Sequence, residues 1–146
     1  MELILWRHAE AEDSLPDMGR VLTAKGHRQA EKMAAWLKTR LPDDARVLVS
    51  PAKRTQQTAA ALSKDFTTVK DINTGASVDE VLTAAGWPNA DGAVLIVGHQ
   101  PTLGAVAARL LAGQDTSWSV KKGAVWWLSV RQTEVILRAV VSPDLL

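Results

Sequence analysis

"AVLIVGHQPTLGAVAARLLAG", residues 93–113, holds both halves of an α/β unit in one unbroken run. Residues 93–97 are uniformly apolar and too few for a helix, so they read as a strand buried on both faces. Beyond Pro101, Leu103, Val106, Ala107, Leu110 and Leu111 recur at helical spacing and form one inward stripe. A strand buried on both faces needs helices above and below it, which points to a largely parallel sheet between two helical layers.

The rest of the chain repeats the alternation. Residues 2–6 read as a short buried strand, and residues 13–22, with Pro16 and Gly19, as a loop. Thr23 is placed to cap a helix carrying Ala30, Met33, Ala34, Leu37 and Leu41 at helical spacing, which Pro42 and two aspartates end. Residues 46–49 form a second strand. Ser50 can then cap a helix with Pro51 in its first turn. Residues 66–72 make a weaker strand, and residues 77–86 a helix with Val78, Val81, Leu82 and Ala85 on one face. Residues 124–130 and 134–141 close the chain as a hairpin. With no linker or repeat, the expectation is one domain over residues 1–146, a three-layer α/β/α sandwich.

Composition narrows the function. Seventeen basic and sixteen acidic side chains give a net charge of +1, too even for a nucleic-acid footprint or a polybasic membrane anchor. The absence of cysteine excludes thiol catalysis, cysteine-based zinc sites and disulfides. No apolar run approaches 18 residues, and no basic segment leads into a long apolar one. The reading expects a soluble, cytoplasmic, monomeric protein. The six tryptophans point to no function.

The informative residues stand where strands stop. Arg7 and His8 follow the first strand, Ser50 and Arg54 the second, and Gly98 and His99 the strand within residues 93–97. Ligands of open α/β sheets bind outside the carboxyl ends of the strands, so two histidines and two arginines would meet at one edge. Guanidinium groups fork onto phosphoryl oxygens and stay charged at any working pH. Arg54 in a first helical turn opposes the helix dipole at a cost of about 0.3–1 kcal/mol, which an anion bound there would offset. His8 and His99 with a carboxylate suggest a metal site on paper, but the arginines would repel a cation, and no metal is expected. His27, off the apolar stripe beside Arg28, reads as a surface residue.

"RHA", "LTAKGHRQA", "SPAKRTQQTA" and "VGHQPTL", in that order, resemble the histidine phosphatase superfamily, the phosphoglycerate mutase-like fold. The short chain is most similar to the compact SixA-type phosphohistidine phosphatases. The resemblance implies that His8 is the nucleophile and forms a phosphohistidine, its backbone-side nitrogen held by a carbonyl. It also implies that Arg7, Arg54 and His99 bind the phosphoryl oxygens, that Arg20 reaches them from the loop, and that no cofactor takes part. The implied substrate is phosphohistidine on a signalling phosphotransfer protein. A small-molecule phosphomonoesterase of the same superfamily is the alternative, and a phosphoanion- or phosphoprotein-binding module without turnover is the reading from another class.

Two departures qualify the match. The family places Gly after the nucleophile, where this chain has Ala9, which is harmless only if its φ is negative and its methyl faces away from the phosphate. The general acid has no clear bearer. Glu80 is the candidate by position, yet Ser77-Val78-Asp79-Glu80 is also a capping-box pattern; Glu10 and Glu12 are further carboxylates near the nucleophile. Phosphohistidine, with its better leaving group, has less need of such an acid.

Overall fold

The computed structural model describes all 146 residues. Six strands, β1 (Glu2–Arg7), β2 (Arg46–Val49), β3 (Thr67–Thr68), β4 (Ala93–Gly98), β5 (Val125–Arg131) and β6 (Glu134–Val141), form one sheet in the order β3-β2-β4-β1-β5-β6. The first four run parallel, and the closing hairpin adds β5 antiparallel to β1. Four helices, α1 (Ala24–Lys38), α2 (Lys53–Ala60), α3 (Val78–Ala85) and α4 (Thr102–Ala112), cover it.

Strand alternation sorts the core into two clusters. Leu3, Leu5, Leu48, Val94, Ile96 and Leu128 face one way and pack against Val81 and Ala85 of α3 and Leu103, Val106 and Ala107 of α4. Ile4, Trp6, Val49, Leu95, Val97, Val125 and Trp127 face the other way, against Met33, Ala34 and Leu37 of α1 and Ala59 of α2. The expected sandwich is what forms. Its handedness follows from the connections. From β1 the chain moves outward to β2 and β3, placing α1 and α2 on one face. From β3 it returns to β4, and right-handed crossover then requires α3 on the opposite face. The direction therefore reverses between β1 and β4, which are neighbours.

Three element boundaries differ from expectation, each for a local reason. α1 ends at Lys38 rather than near Leu41, because Arg40 and Leu41 both turn back to donate to the Leu37 carbonyl. α2 begins at Lys53 with Ala52 as its cap, so Ser50 does not cap it. The Ser50 hydroxyl lies 2.7 Å from His99 Nε2, and its carbonyl accepts from Thr55 and Gln56. The weak strand shrinks to Thr67–Thr68, since residues 70–72 turn as a 3-10 helix that drops Ile72 into the core.

The tryptophans serve packing. Trp6 is fully buried and donates to the Gly123 carbonyl, Trp36 meets Trp127 edge to face, and Trp118 packs on Trp126.

One glycine shows how closely the loop after His8 is pressed on α1. A Cβ at Gly26 would lie 1.9 Å from the Glu10 carbonyl oxygen. Gly26→Ala must therefore displace backbone and is expected to cost about 1–3 kcal/mol in denaturant unfolding; a loss below about 0.5 kcal/mol would contradict this packing.

Candidate active site

The β1·β4 register pairs Arg7 with Gly98, so the next residues, His8 and His99, leave the sheet side by side at the chain reversal. Their ring centroids are 5.5 Å apart. His8 is tethered on both sides: its N–H donates to the Gly98 carbonyl and its carbonyl accepts from Gly123. Its Nδ1 lies 2.8 Å from the Ala9 carbonyl oxygen. A carbonyl only accepts, so Nδ1 carries the proton, and in the neutral ring Nε2 keeps its lone pair.

Ala9 meets both conditions set by the missing glycine. Its φ is not positive, since Gln132 is the one non-glycine residue with positive φ. Its methyl packs with Leu22 and Ala30, and its N–H donates to Thr58 Oγ1 of α2.

Arg54, second residue of α2, is almost fully buried. Nη1 donates to the Asp17 carbonyl at 2.9 Å, while Nη2 reaches the Asp17 carboxylate at 3.3 Å and Thr74 Oγ1 at 3.2 Å. Asp17 also lies 3.4 Å from Arg20, whose Nε donates to the Glu12 carbonyl. Arg7 donates to the Val120 carbonyl. Three buried polar atoms, Arg7 Nε, Arg54 Nε and His99 Nδ1, have no partner. Unmet hydrogen-bonding capacity of this kind is costly in an interior and suits a ligand rich in acceptors.

Electrostatics keep both rings neutral. Burial, helped by Arg54, Arg7 and Arg20 and opposed by the Ala9 hydrogen bond, lowers the His8 pKa to about 4. Burial, then His8 and Arg54, lowers that of His99 to about 3. Burial pushes the Asp17 carboxyl up, but Arg54 and Arg20 outweigh it and hold the group below the usual carboxylate range.

Arg7, His8, Arg54 and His99 thus come together, with Arg20 at the rim. Glu80 does not join them. It completes the capping box with Ser77 and lines a cleft with Arg46, Val69 and Asp71. Glu10 is likewise occupied, accepting from the Thr23 hydroxyl at the start of α1. His27 is exposed. Nowhere do three His, Asp or Glu side chains converge as a metal site would require. Sequence reasoning missed Asp17 and Thr74, which lie in loops and reach Arg54 only through the fold.

A family model described as the histidine phosphatase superfamily (branch 1) matches residues 3–83, a span that includes Arg7, His8 and Arg54. The chain belongs to the histidine phosphatase superfamily. The phosphohistidine phosphatase SixA of Escherichia coli (strain K12) is 30% identical, with 78% of this chain and 76% of that protein aligned. The structure of the protein histidine phosphatase SixA complexed with tungstate matches with a TM-score of 0.81 at 25% identity, covering 99% of this chain and 98% of the other. A mutant phosphoserine phosphatase from Entamoeba histolytica shares the fold alone, with a TM-score of 0.77 at 16% identity over 98% of each chain. This histidine phosphatase is an enzyme, which favours hydrolysis over the binding-module reading. No helix in it is long and apolar enough to cross a membrane.

The buried histidines make stability depend on pH. Above an unfolded pKa near 6.5 they are neutral in both states. Below it the unfolded chain binds protons that the fold resists down to about 4 and about 3, so stability falls as pH falls through that window. Each histidine should cost about 2 kcal/mol between pH 6.5 and 5. Denaturant unfolding of wild type and His8→Asn across this range should show a shallower pH slope in the variant, whereas equal slopes would show that His8 titrates normally.

Proposed function

We propose that this phosphatase hydrolyses phosphohistidine on a phosphotransfer protein through a covalent phosphohistidine on His8. The observation that carries the reading is the Nδ1 contact of His8 with the Ala9 carbonyl, which leaves Nε2 as the free nucleophile beside two guanidiniums. Similarity to SixA supports the substrate class, and the tungstate complex of that protein supports a site for a tetrahedral oxyanion.

In the first step the Nε2 lone pair attacks phosphorus. The P–Nε2 bond forms as the bond to the substrate imidazole breaks, and the departing nitrogen takes a proton from solvent. Arg7 and Arg54 neutralise the phosphoryl oxygens as charge shifts among them. Ser50 Oγ lies 2.7 Å from His99 Nε2 and 3.3 Å from Asn73 Oδ1; in the tautomer in which the hydroxyl gives its proton to Nε2, His99 carries hydrogen on Nδ1 and offers it to a phosphoryl oxygen. In the second step water attacks phosphorus and the P–Nε2 bond breaks, giving inorganic phosphate and restoring neutral His8. Solvent suffices for the leaving group because an imidazole leaves more readily than an alkoxide. That agrees with the placement of Glu80 away from the histidines.

His8→Ala should lose turnover and keep its fold. Rapid quench of wild type with labelled substrate should trap an acid-labile, base-stable phosphoenzyme absent from the variant; steady turnover by the variant would sink covalent catalysis. Arg54→Ala should weaken transition-state binding by about 2–4 kcal/mol in kcat/KM, and near-wild-type kinetics would remove Arg54 from the clamp.

A further inference from the structure

Large apolar side chains exposed to solvent collect in two regions. One is the outer edge of the sheet with the chain terminus: Ile136, Leu137, Val140, Leu145 and Leu146. The other is the loop before α1, where Leu15 is 93% exposed, Met18 40% and Val21 37%. The second is bound directly to the arginines of the site. Asp17, between Leu15 and Met18, is bound to Arg54 through both its carbonyl and its carboxylate, and Arg20, between Met18 and Val21, pairs with Asp17. Asp17 and Arg20 tie the loop to Arg54, while Leu15, Met18 and Val21 face solvent.

We propose that Leu15 and Met18 form a docking rim for a protein substrate, one whose phosphorylated side chain is bordered by exposed apolar residues. This rests on the phosphohistidine-protein reading above. The occupant follows from continuity with the site. A phosphoryl group held at Arg54 brings whatever carries it against the loop that holds Arg54. A small phosphorylated metabolite seated on the arginines is too short to cover a leucine that stands almost wholly in water. A protein surface covers it and gains the burial of two apolar side chains. Glu12 and Asp13, exposed in the same loop and without an ion pair, would repel an anionic bilayer, so the observations favour a protein over a membrane.

The rim predicts a selective defect. In the double variant Leu15→Ser, Met18→Ser, kcat/KM for a phosphorylated histidine-phosphotransfer domain should fall at least about tenfold, mostly through KM. Turnover of phosphoimidazole, which reaches the arginines but not the rim, should stay at the wild-type value and also reports that the fold is intact. If wild type turns over both substrates and the variant keeps their ratio, the docking rim is wrong and the phosphohistidine reading stands. If wild type hydrolyses phosphoimidazole but not the phosphoprotein, the substrate reading falls and takes the rim with it. Binding of wild type, but not of the variant, to vesicles containing phosphatidylserine would overturn the choice of a protein as occupant.

Discussion

The parallel register of β1 against β4 is the constraint on which the site depends. It sets Arg7 opposite Gly98, and the strands diverge one residue later toward helices on opposite faces. Backbone groups that have no further ladder partner open a crevice there. Two histidines, far apart in sequence, enter that crevice with rings 5.5 Å apart. A one-residue slip would flip the side chains of a strand to the other face, and uniformly buried strands on both sides of the pairing make such a slip expensive.

Concentrated positive charge sets the chemistry. Arg7 and Arg54 lie in or near the interior, where cations are costly unless paired. Asp17 and Thr74 satisfy the Nη groups of Arg54 without neutralising the whole cluster. Burial, with the arginines adding to it, lowers the pKa of both histidines, so His8, the proposed nucleophile, needs no general base to be deprotonated at neutral pH. A surplus of positive charge suits the phosphoryl group of the proposed substrate and would offset the charge it brings. In the mechanism proposed above, the arginines would bind the anion while burial and their charge together keep the His8 ring neutral.

The sandwich was legible because its signals are local and periodic. The apolar run in residues 93–97 and the stripe from Leu103 to Leu111 follow from patterning alone. Arg7, His8, Arg54 and His99 were legible by their position at strand ends. The start of α2 was not, because the hydroxyl that looks like its cap is engaged by a histidine 49 residues away. The expected strand over residues 66–72 came out too long because residues 70–72 turn as a 3-10 helix to bury Ile72, leaving only Thr67 and Thr68 paired with β2. Asp17 and Thr74 carry no pattern, since a loop residue acquires its partner only when the fold brings Arg54 to it. Ala9 shows the converse. The sequence raises the question of the absent glycine, and the backbone answers it.

The central claim is that His8 is neutral at physiological pH, with hydrogen on Nδ1 and a free Nε2. Long-range 1H–15N NMR of the imidazole side chains, followed from pH 8 to pH 5, tests it directly. The account predicts an Nδ1–H tautomer for His8 that persists through this range. A His8 ring found as the Nε2–H tautomer, or protonating near pH 6.5, would contradict it.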